Sequence, residues 1–278
     1  MKIAILLMPA VVPALALAQT TMLTFSGDPT DIDGYPGSPG GGWTSTWNNS
    51  ASFIGGSPVY EAGIQSATPF VNGSGSTYLN FATADGLTGG DINNQGAVNR
   101  SYGNFGALDI AEPHQIQFLF RKNTSTGQAR IYDIEGGANL GAGANWVIII
   151  DEEDQFRVFD SDFGTGFTSG QQDMTGDFDN VITGNEYLIT VSVRPAMGRY
   201  DVVIDDLTGS GSVSYMDARF RNQGTSVSGT FTMNSGGTEG PVNFDIDNLA
   251  VIPEPSFYAV LFGASALFLV LRRRRHGG

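Results

Sequence analysis

The densest chemistry in this 278-residue chain is a loop of acids, Asp28-Pro29-Thr30-Asp31-Ile32-Asp33-Gly34. Two further carboxylates, Asp245 and Asp247, alternate along Phe244–Val251, which places them on one face of a strand. Calcium takes about six to eight oxygens from carboxylates, amides and loop carbonyls. If the first and last strands pair, Asp28, Asp31, Asp33, Asp245 and Asp247 become candidate ligands for a structural calcium ion. Asp173, Asp177, Asp179 and Asn180 are a second candidate set, while Asp160 and Asp162 read as turn residues. The competing reading is that these acids are simply solvated, and no EF-hand spacing is present. Trp43-Thr44-Ser45-Thr46-Trp47 and Phe163-Gly164-Thr165-Gly166-Phe167 place aromatics in polar loops. Rings there can stack on a sugar while amides and acids bond its hydroxyls. In an extended chain, however, Trp43 and Trp47 share a face and both can point into a core.

Asp133 and Glu135 also alternate along a strand, in Ile131-Tyr132-Asp133-Ile134-Glu135. A retaining glycosidase needs two carboxyls about 5–5.5 Å apart. The chain has no cysteine, which removes disulfides, thiol nucleophiles and Cys-based zinc sites. His114 and His276 are its two histidines, so a His-dependent triad would rest on His114.

The elements that must position these residues are strands. Gly accounts for 38 residues, and short apolar runs alternate with turn formers. Ile116, Phe118 and Phe120 share one face of Gln115–Phe120. Tyr187, Ile189, Val191 and Val193 do the same and meet Arg199–Asp205 across Pro195-Ala196-Met197-Gly198. A second hairpin joins Trp146–Ile150 to Phe156–Phe159 over Asp151-Glu152-Glu153-Asp154. Further strands are expected near Met22–Phe25, Tyr78–Phe81, Ala129–Ile134, Val213–Phe220, Gly229–Met233 and Val242–Val251. No sustained helical period interrupts residues 19–252, so the expected fold is all-β: a two-sheet antiparallel sandwich of about 230 residues in one domain.

Both ends of the chain read differently. Met1-Lys2, an apolar Ile3–Leu17 and the Ala16-Leu17-Ala18 site before Gln19 make residues 1–18 a secretory signal peptide, removed by signal peptidase. Residues 253–278 hold Pro253-Glu254-Pro255, an uncharged run at 257–271 and then Arg272, Arg273, Arg274 and Arg275. As a helix, that run rises roughly 22 Å, and the arginine stems extend its reach toward a membrane span with the cations on the cytoplasmic side. Between the two ends lie nine of the 14 basic residues and 27 of the 28 acidic ones, giving the domain a charge near −18. Such a surface repels nucleic acid and attracts divalent cations.

The order Pro-Glu-Pro, helix, Arg cluster resembles the PEP-CTERM sorting signal of exported proteins from Gram-negative bacteria that make exopolysaccharide. The resemblance implies recognition of Pro253, Glu254 and Pro255 by an exosortase, with the helix a temporary membrane anchor. Phe244-Asp245-Ile246-Asp247-Asn248-Leu249-Ala250-Val251 resembles the closing strand of concanavalin A-like (laminin-G-like) jelly rolls, which lies beside the first strand. Some jelly-roll glycosidases carry alternating strand acids, but their motif starts with a Glu where this chain has Ile131. The expectation is therefore a non-enzymatic protein of the envelope or extracellular matrix, with a lectin-like polysaccharide-binding module as the rival and a polysaccharide-active enzyme behind it.

Overall fold

The computed structural model describes residues 21–23, 43, 46–49, 60–73, 75–83, 97–104, 108–123, 127–134, 144–160, 170–221, 227, 229–235 and 242–254. The signal-peptide residues Ala16, Ala18 and Gln19 lie outside this set, as do Asp28, Asp31, Asp33, Glu135, Phe163, Phe167 and Pro255–Arg275.

Two antiparallel sheets face each other. The first contains β1 (Thr21–Leu23), β3 (Tyr60–Gln65), β4 (Tyr78–Thr83), β6 (His114–Lys122), β11 (Thr175–Gly176), β12 (Tyr187–Arg194), β13 (Arg199–Asp206), β14 (Ser212–Arg219) and β16 (Asn243–Pro253). Its order is β11-β14-β13-β12-β6-β16-β4-β3, with β1 on β16. The second contains β2 (Asn48–Asn49), β5 (Ala97–Ser101), β7 (Ala129–Ile134), β8 (Ala144–Ile150), β9 (Phe156–Phe159), β10 (Gln171–Asp173) and β15 (Thr230–Ser235), in the order β10-β9-β8-β7-β15-β5-β2. The expected pairing of first and last strands is present, with Thr21 opposite Val251 and Leu23 opposite Leu249.

Period-two burial explains the layering. Along β12, Tyr187, Ile189, Val191 and Val193 are buried, while Leu188, Thr190 and Ser192 are half-buried on the other face. Their ladder partners on β6 include Ile116, Phe118 and Phe120, all fully buried. From the second sheet, Ile131, Trp146, Ile148, Val158, Phe231 and Met233 complete the same core. Phe118 meets Phe231 edge-on, with ring centroids 5.5 Å apart. Tyr200 reaches across the core to donate its hydroxyl proton to the Phe159 carbonyl at 2.5 Å.

Strand β16 keeps its apolar side chains inward by changing register. Phe244 and Ile246 face the core, the pairing with β6 shifts between Asp247 and Ala250, and Leu249 and Val251 face inward beyond the shift. Asn248 supplies the left-handed residue there, at φ 53°.

Gly229, before β15, stands at φ +67°, and an added Cβ would lie 2.5 Å from the Tyr102 carbonyl oxygen. Gly229→Ala is expected to destabilise the fold by about 2 kcal/mol, from backbone strain together with that clash. Urea unfolding of the variant measures it; an unchanged midpoint would contradict the strain.

Candidate functional site

The outer face of the second sheet carries an unusual mixture of groups. Tyr132, Ala144, Val147, Ile149 and Phe159 form a buried apolar floor there, separate from the main core. Ladder registers set polar groups around it. Asn234 lies opposite Arg130, Arg130 opposite Ile149, and Ile149 opposite Arg157. Thr232 lies opposite Tyr132 on one side and Asn99 on the other. At the β9–β10 edge, Gln171 faces Phe159 and Asp173 faces Arg157.

Three arginines stand on this face. Arg221 follows β14, and its backbone N–H donates to the Asn145 carbonyl at 3.1 Å. That contact brings its guanidinium 4.2 Å from the centre of the Phe159 ring. Arg130 donates from Nε to Gln128 at 2.7 Å. Burial lowers the Arg130 guanidinium to about 10, and the like charge of Arg221 adds to the effect. Arg157 is held by Asp151 and Asp173, each at 2.9 Å. Asn99, Arg157 and Gln171 are half-buried and Asp173 is exposed, so the face meets solvent at its β5 side and at its β9–β10 edge. The rim of planar donors over this buried floor suits a ligand with many oxygens. Gln128, Arg130 and Tyr132 alternate in the sequence, but the expected strand Ala129–Ile134 carries no sign of what its outer face meets.

The sequence-level candidates fall elsewhere. Trp47 is completely buried and Trp43 is half-buried against the core. The Trp43 ring meets Tyr102 edge-on at 5.8 Å, with the Arg100 guanidinium 5.2 Å from its centre. The expectation of a stacking platform is corrected: these rings fill the sandwich, because their shared face points inward.

Asp245 and Asp247 share the outer face of the first sheet, as expected, yet both are buried. Asp245 accepts from Arg121 Nε at 2.9 Å and Nη2 at 2.6 Å, and from Asn80 at 2.8 Å. Its charge is spent on an arginine, so it is corrected as a calcium ligand. Asp247 accepts from the Asn248 backbone N–H at 2.8 Å. Asp173 pairs with Arg157, and Asp177 accepts from Ser212 N–H at 3.0 Å. Among the described residues no three metal-binding side chains gather. Asp160, the expected turn residue, instead accepts from the Arg219 backbone, the Arg219 guanidinium and the Tyr215 hydroxyl.

Asp133 faces into the sandwich, not outward where a glycan could reach it. It is fully buried and accepts from Asn145 at 2.7 Å and from the Thr230 backbone N–H at 2.6 Å. Burial nevertheless pushes its carboxyl up to about 6.

Of the sorting element, Pro253 and Glu254 are described. Pro253 is the last residue of β16, buried and opposite His114. Glu254 N–H then donates to the Pro113 carbonyl at 3.2 Å. The Pro-Glu-Pro segment thus begins inside the ladder of a central strand.

No family model and no curated protein sequence matches this chain. Solved structures similar to it include a sialidase (12% identity, TM-score 0.48, 74% of this chain and 17% of that one). Another is the binding domain of botulinum neurotoxin DC in complex with rat synaptotagmin II (16% identity, TM-score 0.44, 74% of this chain and 46% of that one). A third is a Lotus tetragonolobus seed lectin isoform (10% identity, TM-score 0.40, 76% of this chain and 100% of that one). The chain spans less than half the length of the first two.

Proposed function

We propose that this chain is a non-enzymatic, polysaccharide-binding β-sandwich exported to the envelope or extracellular matrix. The observation that supports it most is the outer face of the second sheet, where Arg130 and Arg221 stand beside Tyr132 and Phe159. Guanidinium and amide groups bind carboxylates and hydroxyls through N–H donors, and those that meet solvent here are Asn99, Arg157 and Gln171, seated on the buried rings and aliphatic floor. In a chain of net charge −14, arginines concentrated on one face favour an acidic polysaccharide over a neutral one. Titration with alginate-type polyuronate and with a neutral glucan tests this. Arg157→Gln is expected to weaken polyuronate binding about tenfold or more, corresponding to roughly 1.4 kcal/mol. Equal affinity of the variant and the original chain would end this reading of the face.

Delivery through an exosortase-type system is the second part of the proposal, and the junction at Pro253-Glu254 supports it. A central strand that ends at Pro253 places the sandwich immediately before the expected cleavage site. The intact mass of the protein from membrane and extracellular fractions tests this. A chain from near Gln19 to near Pro255 is expected outside the cell. Recovery only of membrane-bound chains that keep Arg272–Arg275 would refute sorting without touching the polysaccharide reading.

A further inference from the structure

The sequence holds a single Asn-Gly pair, Asn72-Gly73, and the fold places it in the turn between β3 and β4 with Asn72 exposed. An asparagine before glycine is unusually prone to lose its side-chain amide. The next residue has no side chain to shield the backbone nitrogen that attacks, and glycine reaches the backbone angles the attack needs. Glycine is also what the packing demands here. A Cβ at this position would lie 2.4 Å from Asp247 Oδ2 and 3.0 Å from Phe70 Cβ. The close approach to β16 therefore imposes the one neighbour that opens Asn72 to this chemistry.

One carboxylate holds the turn shut. Glu186, buried just before β12, accepts from the Val71 N–H at 2.6 Å and from the Asn72 N–H at 3.1 Å. The Asn72 side-chain amide donates to the same carboxylate at 2.9 Å. The Gly73 N–H donates to the Phe70 carbonyl at 3.3 Å. In the closed turn, the attacking nitrogen is thus engaged as a donor and the amide it would attack is turned toward Glu186.

We propose that Asn72-Gly73 is a spontaneous modification site, gated by Glu186, whose product loosens the β3–β4 connection from the first sheet. When the turn opens, the Gly73 nitrogen gives up its proton and bonds to Asn72 Cγ. The Cγ–Nδ2 bond breaks, ammonia leaves with the equivalent of that proton, and a cyclic imide closes. Water then adds at either imide carbonyl, giving aspartate at position 72 or its isoaspartyl isomer; nothing is oxidised or reduced. Either product replaces a donor with a carboxylate facing Glu186, and Asp247 beside Gly73 is a third acid at the same place. Like charges there repel, and the isoaspartyl form also lengthens the main chain inside the turn. The hold on Phe70, which packs with Tyr78 and Leu119 over the sheet, is weakened irreversibly. The inference rests on neither the polysaccharide nor the sorting reading.

Incubating the full chain at mildly alkaline pH and mapping its peptides by mass spectrometry tests the site. Asn72 is expected to convert ahead of Asn104, which is also exposed but precedes Phe105. Glu186→Gln, which weakens the gate, is expected to speed conversion several-fold. Gly229→Ala, which strains the other sheet, is expected to leave the rate unchanged. Equal conversion of Asn72 and Asn104, or equal acceleration by both variants, would overturn the gated site. The product's effect is read from urea unfolding of Asn72→Asp beside Asn72→Ser, which removes the amide without adding a charge. A lower midpoint is expected for Asn72→Asp, and equal midpoints would overturn the loosening.

Discussion

Replacing Arg121 with alanine is expected to cost about 3–5 kcal/mol of stability, the range for breaking a buried ion pair by removing one partner. Arg121 stands on β6 at the centre of the first sheet's outer face, and it and Asp245 are both buried. Its Nη2 also donates to the Thr68 carbonyl at 2.5 Å, and its guanidinium lies 4.5 Å from the Phe70 ring centre and 5.2 Å from that of Tyr78. One side chain therefore neutralises Asp245 and clamps the β3–β4 connection onto the sheet. Glu186 completes the clamp by accepting from the Val71 and Asn72 backbone N–H groups at 2.6 and 3.1 Å. Removing Arg121 leaves the buried Asp245 without its cation, with Asn80 still donating to it, and frees the loop. The double variant Arg121→Met, Asp245→Leu is expected to recover much of the loss, because a buried pair contributes little beyond what packed apolar groups provide. Chemical unfolding of both variants checks this. A loss of under about 1 kcal/mol for Arg121→Ala would class the pair with solvent-exposed ones.

That clamp also marks the limit of what the sequence discloses. The alternation of Tyr187–Val193 and of Ile116–Phe120 is legible because one face of each strand is apolar, and both hairpins follow from their turns. The short strands Tyr60–Gln65, Ala97–Ser101 and Gln171–Asp173 are not legible, since in them apolar residues fail to alternate long enough. The outer faces are harder still. Arg121 stands at a polar position of its strand and Asp245 reads as a calcium ligand, yet the β3–β4 connection covers both, and period two says nothing about what lies over a sheet. The tryptophans mislead for the opposite reason. A polar, Ser/Thr-rich context suggests a loop tip, but the isolated bridge between Trp43 and Tyr102 turns their shared face inward. The acids in this chain follow the same logic: two acids two residues apart share a face, but Arg121 decides what Asp245 does and burial decides what Asp133 does.

For Asp133 the expected result concerns acid. Its carboxyl titrates at about 6 in the folded chain, against an ordinary value of 3.8, because burial penalises the charge more than its donors repay. The folded state thus holds this proton more tightly than the unfolded state does. Stability from this group rises as pH falls through about 6 and levels off below the ordinary value. The shift of about two units corresponds to roughly 3 kcal/mol across that window. Asp133→Asn removes the titration. At neutral pH its penalty is expected to be small, because two effects oppose. The amide sets an N–H₂ against the donors of Asn145 or Thr230, costing about 1–3 kcal/mol. It also relieves the buried charge. On acidification the relief disappears while the mismatch stays, so the deficit of the variant should grow by roughly 3 kcal/mol between neutral pH and pH about 4. His114, whose imidazolium is disfavoured by burial, loses stability over part of the same window, but it titrates in both chains and cancels from the difference. Urea unfolding of the two chains at a series of pH values measures that difference directly. Parallel curves would mean that Asp133 titrates as an ordinary carboxylate, its hydrogen-bond donors offsetting the whole cost of burial.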